Sequence, residues 1–229
     1  MNKALKILIH VVLLALIAGL VYLIVDSIMQ PVNFNKQKDA RTAVAVQRLK
    51  DIRTLEVAYK SVTEHYTADP DSLILFYNTG KMDIIMQIGS NDDSLAVANT
   101  EKLKKQNRKI TPQQMYERYL KGENLVFSIK NSIAVKDTLF HSRPDFVVDS
   151  IKYIPFSGGQ LVEMDAIVKT VSGVNVPLFE AKMPYKALLK GLDNQLRINL
   201  DADCRAANRY EGLQVGSVTA PNNNAGNWE

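Results

Sequence analysis

The chain has 229 residues, of which 46% are hydrophobic and 23% charged, with 28 lysines and arginines against 24 aspartates and glutamates. This apolar fraction is enough to bury a core and excludes a wholly disordered chain, while a net charge of +4 does not by itself indicate nucleic-acid binding. The single cysteine, Cys204, excludes an internal disulfide framework and a CxxC metal site.

The N-terminal segment 7–25 contains one polar residue, His10, and is bounded by Lys6 and Asp26. As a helix it would span about 28 Å, close to the ~30 Å hydrocarbon core of a bilayer. A cleaved signal peptide usually has a shorter apolar segment, of ~7–15 residues, followed by an A-x-A-like site. The sequence therefore predicts an uncleaved transmembrane anchor within residues 1–30. The side chains expected to face lipid are Ile7, Leu13, Leu14, Leu16, Leu20, Leu23 and Val25.

The distribution of basic residues predicts the orientation of this anchor. Lys3 and Lys6 precede the apolar segment, whereas no lysine or arginine follows it until Lys36. The positive-inside rule then places the N-terminus in the cytoplasm and residues 27–229 on the far side of the inner membrane, in the periplasm of a Gram-negative cell.

A long amphipathic helix, or a short coiled-coil seam, is predicted over residues 31–68. Pro31 is expected to break or kink the anchor helix, with a hinge at 31–35. The segment that follows has apolar residues at spacings of three and four. This packing stripe consists of Leu49, Ile52, Leu55, Tyr59, Val62 and Tyr66. The opposite face, expected in solvent, carries Lys50, Asp51, Arg53 and Lys60. The stripe must pack on the protein's own domain or on another subunit, and the sequence leaves both open.

Residues 69–219 predict a mixed α+β domain with an antiparallel sheet. Asp69 and Pro70 are suited to the N-cap and first position of a helix, and Gly80 to its end. Helices are predicted at 71–77, 112–120 and 185–189. Strands are predicted at 83–88, 125–129, 146–154, 161–171, 174–181 and 212–218. Ser172 and Gly173 predict a two-residue hairpin turn, and the segment 197–208 is ambiguous.

Five positive charges lie close together in the polar segment 89–109. They are Lys102, Lys104, Lys105, Arg108 and Lys109. No aromatic residue lies among them, although base stacking is what sequence-tolerant strand binding requires. The pattern favours a solvated linker or helix face, and no nucleic-acid partner is expected.

The sequence offers no catalytic constellation. His65 and His141 are isolated, and HExxH, GxSxG, GxxxxGK[ST] and GxGxxG motifs are absent. Cys204 beside Arg205 could in principle be a thiol of lowered pKa with one histidine as its base, but an inert thiol is favoured. We expect a protein that is not an enzyme, with no cofactor and no metal.

The C-terminal segment 220–229 lacks a periodic apolar pattern and is predicted to be flexible. It contains the only tryptophan, Trp228. An exposed tryptophan could anchor a partner; the alternatives are that Trp228 folds back onto its own domain or that the tail is idle.

Three segments resemble a family of uncharacterised single-pass envelope proteins of Gram-negative bacteria: KDIRTLEVAYKSVTEHY, LKGLDNQ and RYEGLQVGSVTAPNNNAGNWE. The N-terminal third also resembles type IV pilins and pseudopilins, and the assembly-platform proteins of their machines. The residues in pilin-like order are Arg41, Ile52, Arg53, Ala58, Tyr59, His65 and Tyr66. The apolar segment has no glutamate near its start, so the head-to-tail packing that pilins achieve through that residue is not expected.

Together these patterns predict a non-enzymatic, membrane-anchored periplasmic scaffold in a bacterial envelope machine for secretion, a pilus-like fibre or cell-wall work. Its partners would be the lipid bilayer and other proteins of the complex, in a homo- or hetero-oligomer. The alternatives are a pilin-like filament subunit and an envelope enzyme, ligand-binding protein or sensor.

Overall fold

The computed structural model describes residues 3–171 and 173–229; for residues 3–8 it describes the helical backbone but not the side chains. The first element, helix α1, runs without interruption from Lys3 to Thr63, 61 residues that rise about 90 Å. The break predicted at Pro31 and the hinge at 31–35 are wrong, since Pro31 lies inside the helix. A proline removes one backbone hydrogen bond, and the turn that follows is held by the buried side chain of Phe34.

The chain divides into two compact units that are not sequential. One, called the anchor unit here, comprises the chain up to Thr54 together with Asp149–Glu229; the other, called the middle unit, is Leu55–Val148. Helix α1 therefore contributes residues to both. The sequence-based segments 31–68 and 69–219 are each divided between the two units.

The middle unit combines short helices with a two-stranded antiparallel sheet. Its elements after α1 are α2 (Pro70–Thr79), β1 (Lys81–Ile88), α3 (Ser94–Gln106), α4 (Pro112–Leu120), β2 (Phe127–Ala134) and α5 (Val135–Thr138). β1 pairs with β2 from Lys81 opposite Ala134 to Ile88 opposite Phe127. One hydrophobic cluster contains Leu103, Met115, Leu125, Phe127 and Ile129, and another contains Ala58, Phe76 and Val135.

The helix starts of the middle unit follow their capping sequences. The Asp69 carboxylate accepts hydrogen bonds from the amides of Asp71 and Ser72, with Pro70 in the first turn. Thr111 and Gln114 form a reciprocal capping box at the start of α4. The basic segment forms much of α3, and its five cationic side chains are exposed.

The anchor unit contains a three-stranded antiparallel sheet and two helices. After a 3-10 helix at Val148–Lys152, its elements are β3 (Glu163–Val171), β4 (Val174–Pro184), α6 (Tyr185–Leu188), α7 (Asn194–Ala206) and β5 (Gly212–Gly216), with strand order β3-β4-β5. β3 pairs with β4 from Glu163 opposite Lys182 to Val171 opposite Val174. Of the predicted hairpin turn, Ser172 lies outside the described residues, and Gly173 has a φ of 83°.

The strand predicted at 146–154 is wrong, because much of this segment is the 3-10 helix Val148–Lys152. The buried residues of the segment 146–154 are Val148, Ile151 and Ile154. This spacing of three matches the three residues per turn of a 3-10 helix rather than the alternation of a strand. The ambiguous segment 197–208 lies mostly in α7, whose start is capped by the Asp193 side chain.

Candidate functional site: the anchor helix and the adjoining groove

The N-terminal half of α1 is exposed and apolar. Its best 18-residue window has a mean hydropathy of 2.6, with none of it buried. The predicted lipid-facing side chains Leu13, Leu14, Leu16, Leu20, Leu23 and Val25 are between 50% and 66% exposed; the side chain of Ile7 lies outside the described residues. By length and composition, α1 is the one helix in the described part of the chain that is suited to cross a membrane, which is consistent with a membrane anchor.

The packing stripe on the second half of α1 is largely buried within the chain itself. The stripe residues that are at most 8% exposed are Leu49, Ile52, Leu55 and Tyr66. Tyr59 is half-buried, whereas Val62 remains 48% exposed. Asp51, expected on the solvent face, is 5% exposed and accepts a hydrogen bond of 3.0 Å from the Gln47 side chain. The helix therefore buries most of its stripe within the chain itself.

Three side chains on one side of α1 fix the rest of the anchor unit close to the apolar half. The Gln30 amide donates to the Asp193 carboxylate at 2.6 Å. Phe34, one turn later, is buried. Arg41 then donates to the carbonyl oxygens of Leu188 and Lys190, at 3.1 and 2.8 Å. Asp193, at the end of the connection between α6 and α7, is thus held by a residue about 7.5 Å along the helix beyond Val25, whereas Leu188 and Lys190 are held by a residue about 24 Å beyond it.

A charged groove lies along α6 and α7, beside this contact. It consists of two adjoining cavities of about 800 and 660 Å³. Both cavities are lined by Glu163, Pro184, Lys186 and Arg197. We call this the α6–α7 groove. Its other basic lining residues are Lys190 in one cavity, and Arg205 and Arg209 in the other.

Internal ion pairs neutralise part of this charge. Arg197 pairs with Asp201 one turn later on α7 and also donates to the Asn194 side chain at 2.9 Å. Arg205 pairs with Glu211 at 2.8 Å. Lys190 donates instead to the carbonyl oxygen of Ser157 at 3.2 Å. Within the described residues, neither Lys186 nor Lys190 has a carboxylate partner.

Burial governs the titration of the groove wall. Asp201 is 6% exposed and its Oδ1 has no hydrogen-bond partner among the described residues. Desolvation raises the pKa of Asp201, and the guanidinium of Arg197 partly opposes this. Burial likewise raises the pKa of the Tyr210 hydroxyl, which lines the larger cavity. Desolvation therefore affects the protonation of the side chains in the groove wall, in addition to their ion pairs.

The surroundings of Cys204 do not activate its thiol through a lowered pKa. Burial raises the pKa of its thiol, with partial opposition from Arg209, contrary to the lowering expected from Arg205. Cys204 belongs to the anchor unit, whereas His65 and His141 belong to the middle unit. Nδ1 of His65 lies 2.7 Å from the carbonyl oxygen of Thr63. Nδ1 of His141 lies 3.3 Å from the carbonyl oxygen of Thr138. No group of three potential metal ligands occurs in the described part of the chain.

The C-terminal tail, predicted to be flexible, lies along β5 instead. The Asn227 side chain donates to the Gly212 carbonyl and accepts from the Gln214 amide, at 2.9 and 3.1 Å. The Asn227 amide donates to the Gln214 carbonyl at 2.9 Å. Trp228 is half-buried, and its ring packs over Gly226. The tail thus covers an edge that β5 would otherwise leave open.

Sequence reasoning missed the α6–α7 groove and the contact between Gln30 and Asp193. The groove is lined by residues spread from 160 to 211, and the polar contact joins residues 163 positions apart. A local signal existed only for α7, where Asp193 is a good N-cap residue and Arg197 and Asp201 have the spacing of a helical ion pair.

No protein-family model, curated protein or solved structure matches this chain.

Proposed function

We propose that this chain is a membrane-anchored scaffold of the bacterial envelope, with a cytoplasmic N-terminus and both units in the periplasm. It would hold partner proteins of a secretion or pilus-like assembly at a fixed distance from the inner membrane. This role requires a rigid link between bilayer and partners rather than a reaction centre.

The observation that supports the proposal is the continuity of α1. The same helix presents exposed apolar side chains in its first half and fully buried ones, such as Leu49 and Leu55, in its second. Exposed apolar side chains on this scale are unfavourable in water and favourable in lipid. Because no loop separates the two halves, the position of the apolar half in the membrane would be transmitted directly to the buried half of the same helix.

Membrane extraction and crosslinking test this function. We expect the full chain to resist alkaline carbonate and to require detergent, and to be crosslinked in native membranes into species larger than the monomer. Protease added to spheroplasts should degrade both units if they are periplasmic. A strictly monomeric chain that crosslinks to no other protein would contradict the scaffold role, and release by carbonate would contradict the anchor.

A further inference from the structure

The two edges of the three-stranded sheet in the anchor unit differ. The β5 edge is covered by the tail, through the hydrogen bonds of Asn227 and through one from the Gly216 amide to the Ala225 carbonyl at 3.1 Å. β3 pairs with β4, and within the described residues no strand lies on its outer side. The backbone groups along the outer side of this nine-residue strand are therefore open to pairing with another strand.

β3 is exposed along most of its length. Its exposed side chains are Glu163, Asp165, Ile167, Val168, Lys169 and Thr170. Ile167 and Val168, at the centre of the strand, are 39% and 60% exposed. A second strand laid along this edge would remove part of this apolar surface from water, which is favourable. The edge thus combines unpaired backbone with apolar side chains, as in sheets that are extended by a strand from another chain.

The carboxylate of Asp165 lies on β3 without a cation beside it. Asp165 is directly opposite Glu180 on β4, and like charges in this position are destabilising. The carboxylate of Glu180 is held by Lys182 and by the Gln214 side chain, the latter at 2.7 Å. Asp165 itself forms no ion pair within the described residues. A cation on the outer side of β3 would therefore stabilise this strand.

The sequence of β3 is complementary to itself when two copies run antiparallel. If Ile167 of each copy lies at a two-fold axis, residue 163 is opposite residue 171 and the whole strand is paired. Asp165 of each copy is then opposite Lys169 of the other, and both lie on the same face as Ile167 because side chains alternate along a strand. A lysine on an edge strand disfavours unspecific pairing, so the two ion pairs favour this register over others.

We propose that β3 pairs with β3 of a second copy of this chain, antiparallel and centred on Ile167. The two sheets would join into one sheet of six strands, three from each copy, with reciprocal ion pairs between Asp165 and Lys169. The inference rests on the proposed scaffold function, for which it names one partner. The edge itself belongs to the anchor unit and does not depend on the insertion of α1.

The first test introduces cysteines into the full chain in detergent. Ile167→Cys should give an intermolecular disulfide under mild oxidation, because the Cα atoms of directly opposed residues lie about 4.5–5.5 Å apart. Thr170→Cys is the control on the same strand, since in this register the two copies of residue 170 lie about 20 Å apart. The native Cys204 is buried and should not crosslink. Equal crosslinking of the two variants, or none in Ile167→Cys, would overturn the proposed pairing.

The second test reverses the two charges, with sedimentation in detergent as the measurement. Asp165→Lys places like charges opposite each other twice in the dimer and should raise its dissociation constant about tenfold. This variant keeps the hydrogen bond from Lys169 to the Thr219 carbonyl. Lys169→Glu should weaken the dimer similarly, whereas the double variant Asp165→Lys/Lys169→Glu restores opposite charges and should recover it. Lys104→Glu, at an exposed position on α3 of the middle unit, is the control for charge reversal and should change nothing.

Single variants that dimerise as tightly as the double variant would overturn the β3 interface, because the dimer would then form elsewhere. An unsubstituted chain that stays monomeric would overturn the dimer altogether. If that monomer is still crosslinked to other proteins in native membranes, the scaffold function is supported and only the second copy is excluded. A monomer that crosslinks to no protein contradicts both proposals.

Discussion

Arg53 on α1 is joined to Glu229, 176 residues later, by an ion pair of 2.8 Å. The same guanidinium group donates to the backbone carbonyl of Asn224 at 3.2 Å. One side chain of the long helix therefore contacts the C-terminal tail at Asn224 and at its last residue, Glu229. Hydrogen bonds to β5 hold Asn227 between them. In this arrangement Trp228 is half-buried.

The first prediction is that Arg53→Gln loosens the tail without unfolding the anchor unit. Glutamine removes the ion pair and is too short to bridge Asn224 and Glu229 together. We expect amide exchange at residues 224–229 to rise several-fold, while that of β4 stays slow. Hydrogen exchange resolved by peptide measures both. As a control, Arg108→Gln removes an exposed arginine from the middle unit and should change the exchange of neither segment. Unaltered exchange of the tail in Arg53→Gln would show that the contacts of Arg53 do not hold the tail.

The ion pair between Arg53 and Glu229 is also predicted to weaken at acidic pH. The hydrogen bond from Arg53 lowers the pKa of Glu229. A carboxyl group with a lowered pKa stabilises the folded state above its unfolded pKa, and this contribution is lost as pH falls through the folded pKa. Protection of the tail should thus decrease in acid, and Glu229→Gln should show weak protection at every pH.

Local sequence signals predicted the starts of α2 and α4 but not that of α3, and the long-range contacts were not predictable. The cap at Asp69 needs only residues within three positions of each other, and the structure confirms it. Pro31 was misjudged because its effect depends on the turns on either side, and Phe34 is buried by residues far away in sequence. The tail was misjudged for the same reason, since Asn227 is fixed by Gly212 and Gln214 rather than by its neighbours.

The stripe on α1 was predictable, but the extent of its burial was not. Periodicity identifies the side of a helix that is apolar, and Ile52 and Leu55 are indeed fully buried. Periodicity does not show how far along the helix other parts of the chain cover the apolar side. Val62 therefore belongs to the same series although it is 48% exposed. The α6–α7 groove gave no periodic signal, because it is assembled from a strand end, two helices and the loop between them.

The second prediction concerns Gly226, which lies under the ring of Trp228. A Cβ atom at position 226 would lie 2.4 Å from the indole ring. Gly226→Ala should therefore displace the ring from its place over residue 226 and shift the emission of the only tryptophan to longer wavelength. Ala220→Ser, at an exposed position in the same segment, should leave the spectrum as it is. An unshifted spectrum in Gly226→Ala would show that the indole does not pack there.

The third prediction compares two positions of the stripe. Ile52 is fully buried and Val62 is 48% exposed. Ile52→Ala should lower the free energy of unfolding by about 2–5 kcal/mol through lost burial and a residual cavity, whereas Val62→Ala should stay within roughly 0.5 kcal/mol. Urea unfolding of the full chain in detergent measures both. Similar losses at the two positions would mean that Val62 is covered by a partner in solution.

The fourth prediction concerns Glu56, a carboxyl group that is 0% exposed inside the middle unit. Its Oε2 accepts a hydrogen bond of 3.2 Å from the Thr67 amide, and its Oε1 has no partner among the described residues. Desolvation raises the pKa of Glu56 to about 8, and the bond from Thr67 opposes this only in part. The folded middle unit therefore holds this proton at neutral pH, where the unfolded chain would release it.

Because the folded pKa lies above the unfolded one, the protein loses stability as pH rises from about 4.5 to about 8 and levels off above that. Each unit of pKa difference corresponds to ~1.4 kcal/mol, so the total is a few kcal/mol. Glu56→Gln keeps the acceptor for Thr67 but cannot ionise, so it should remove most of this slope and raise the stability of the middle unit at alkaline pH. Thermal unfolding between about pH 5 and about pH 9 measures the slope, and Glu101→Gln on the exposed face of α3 should retain it. If Glu56→Gln shows the same dependence of stability on pH as the unsubstituted chain, another group causes that dependence.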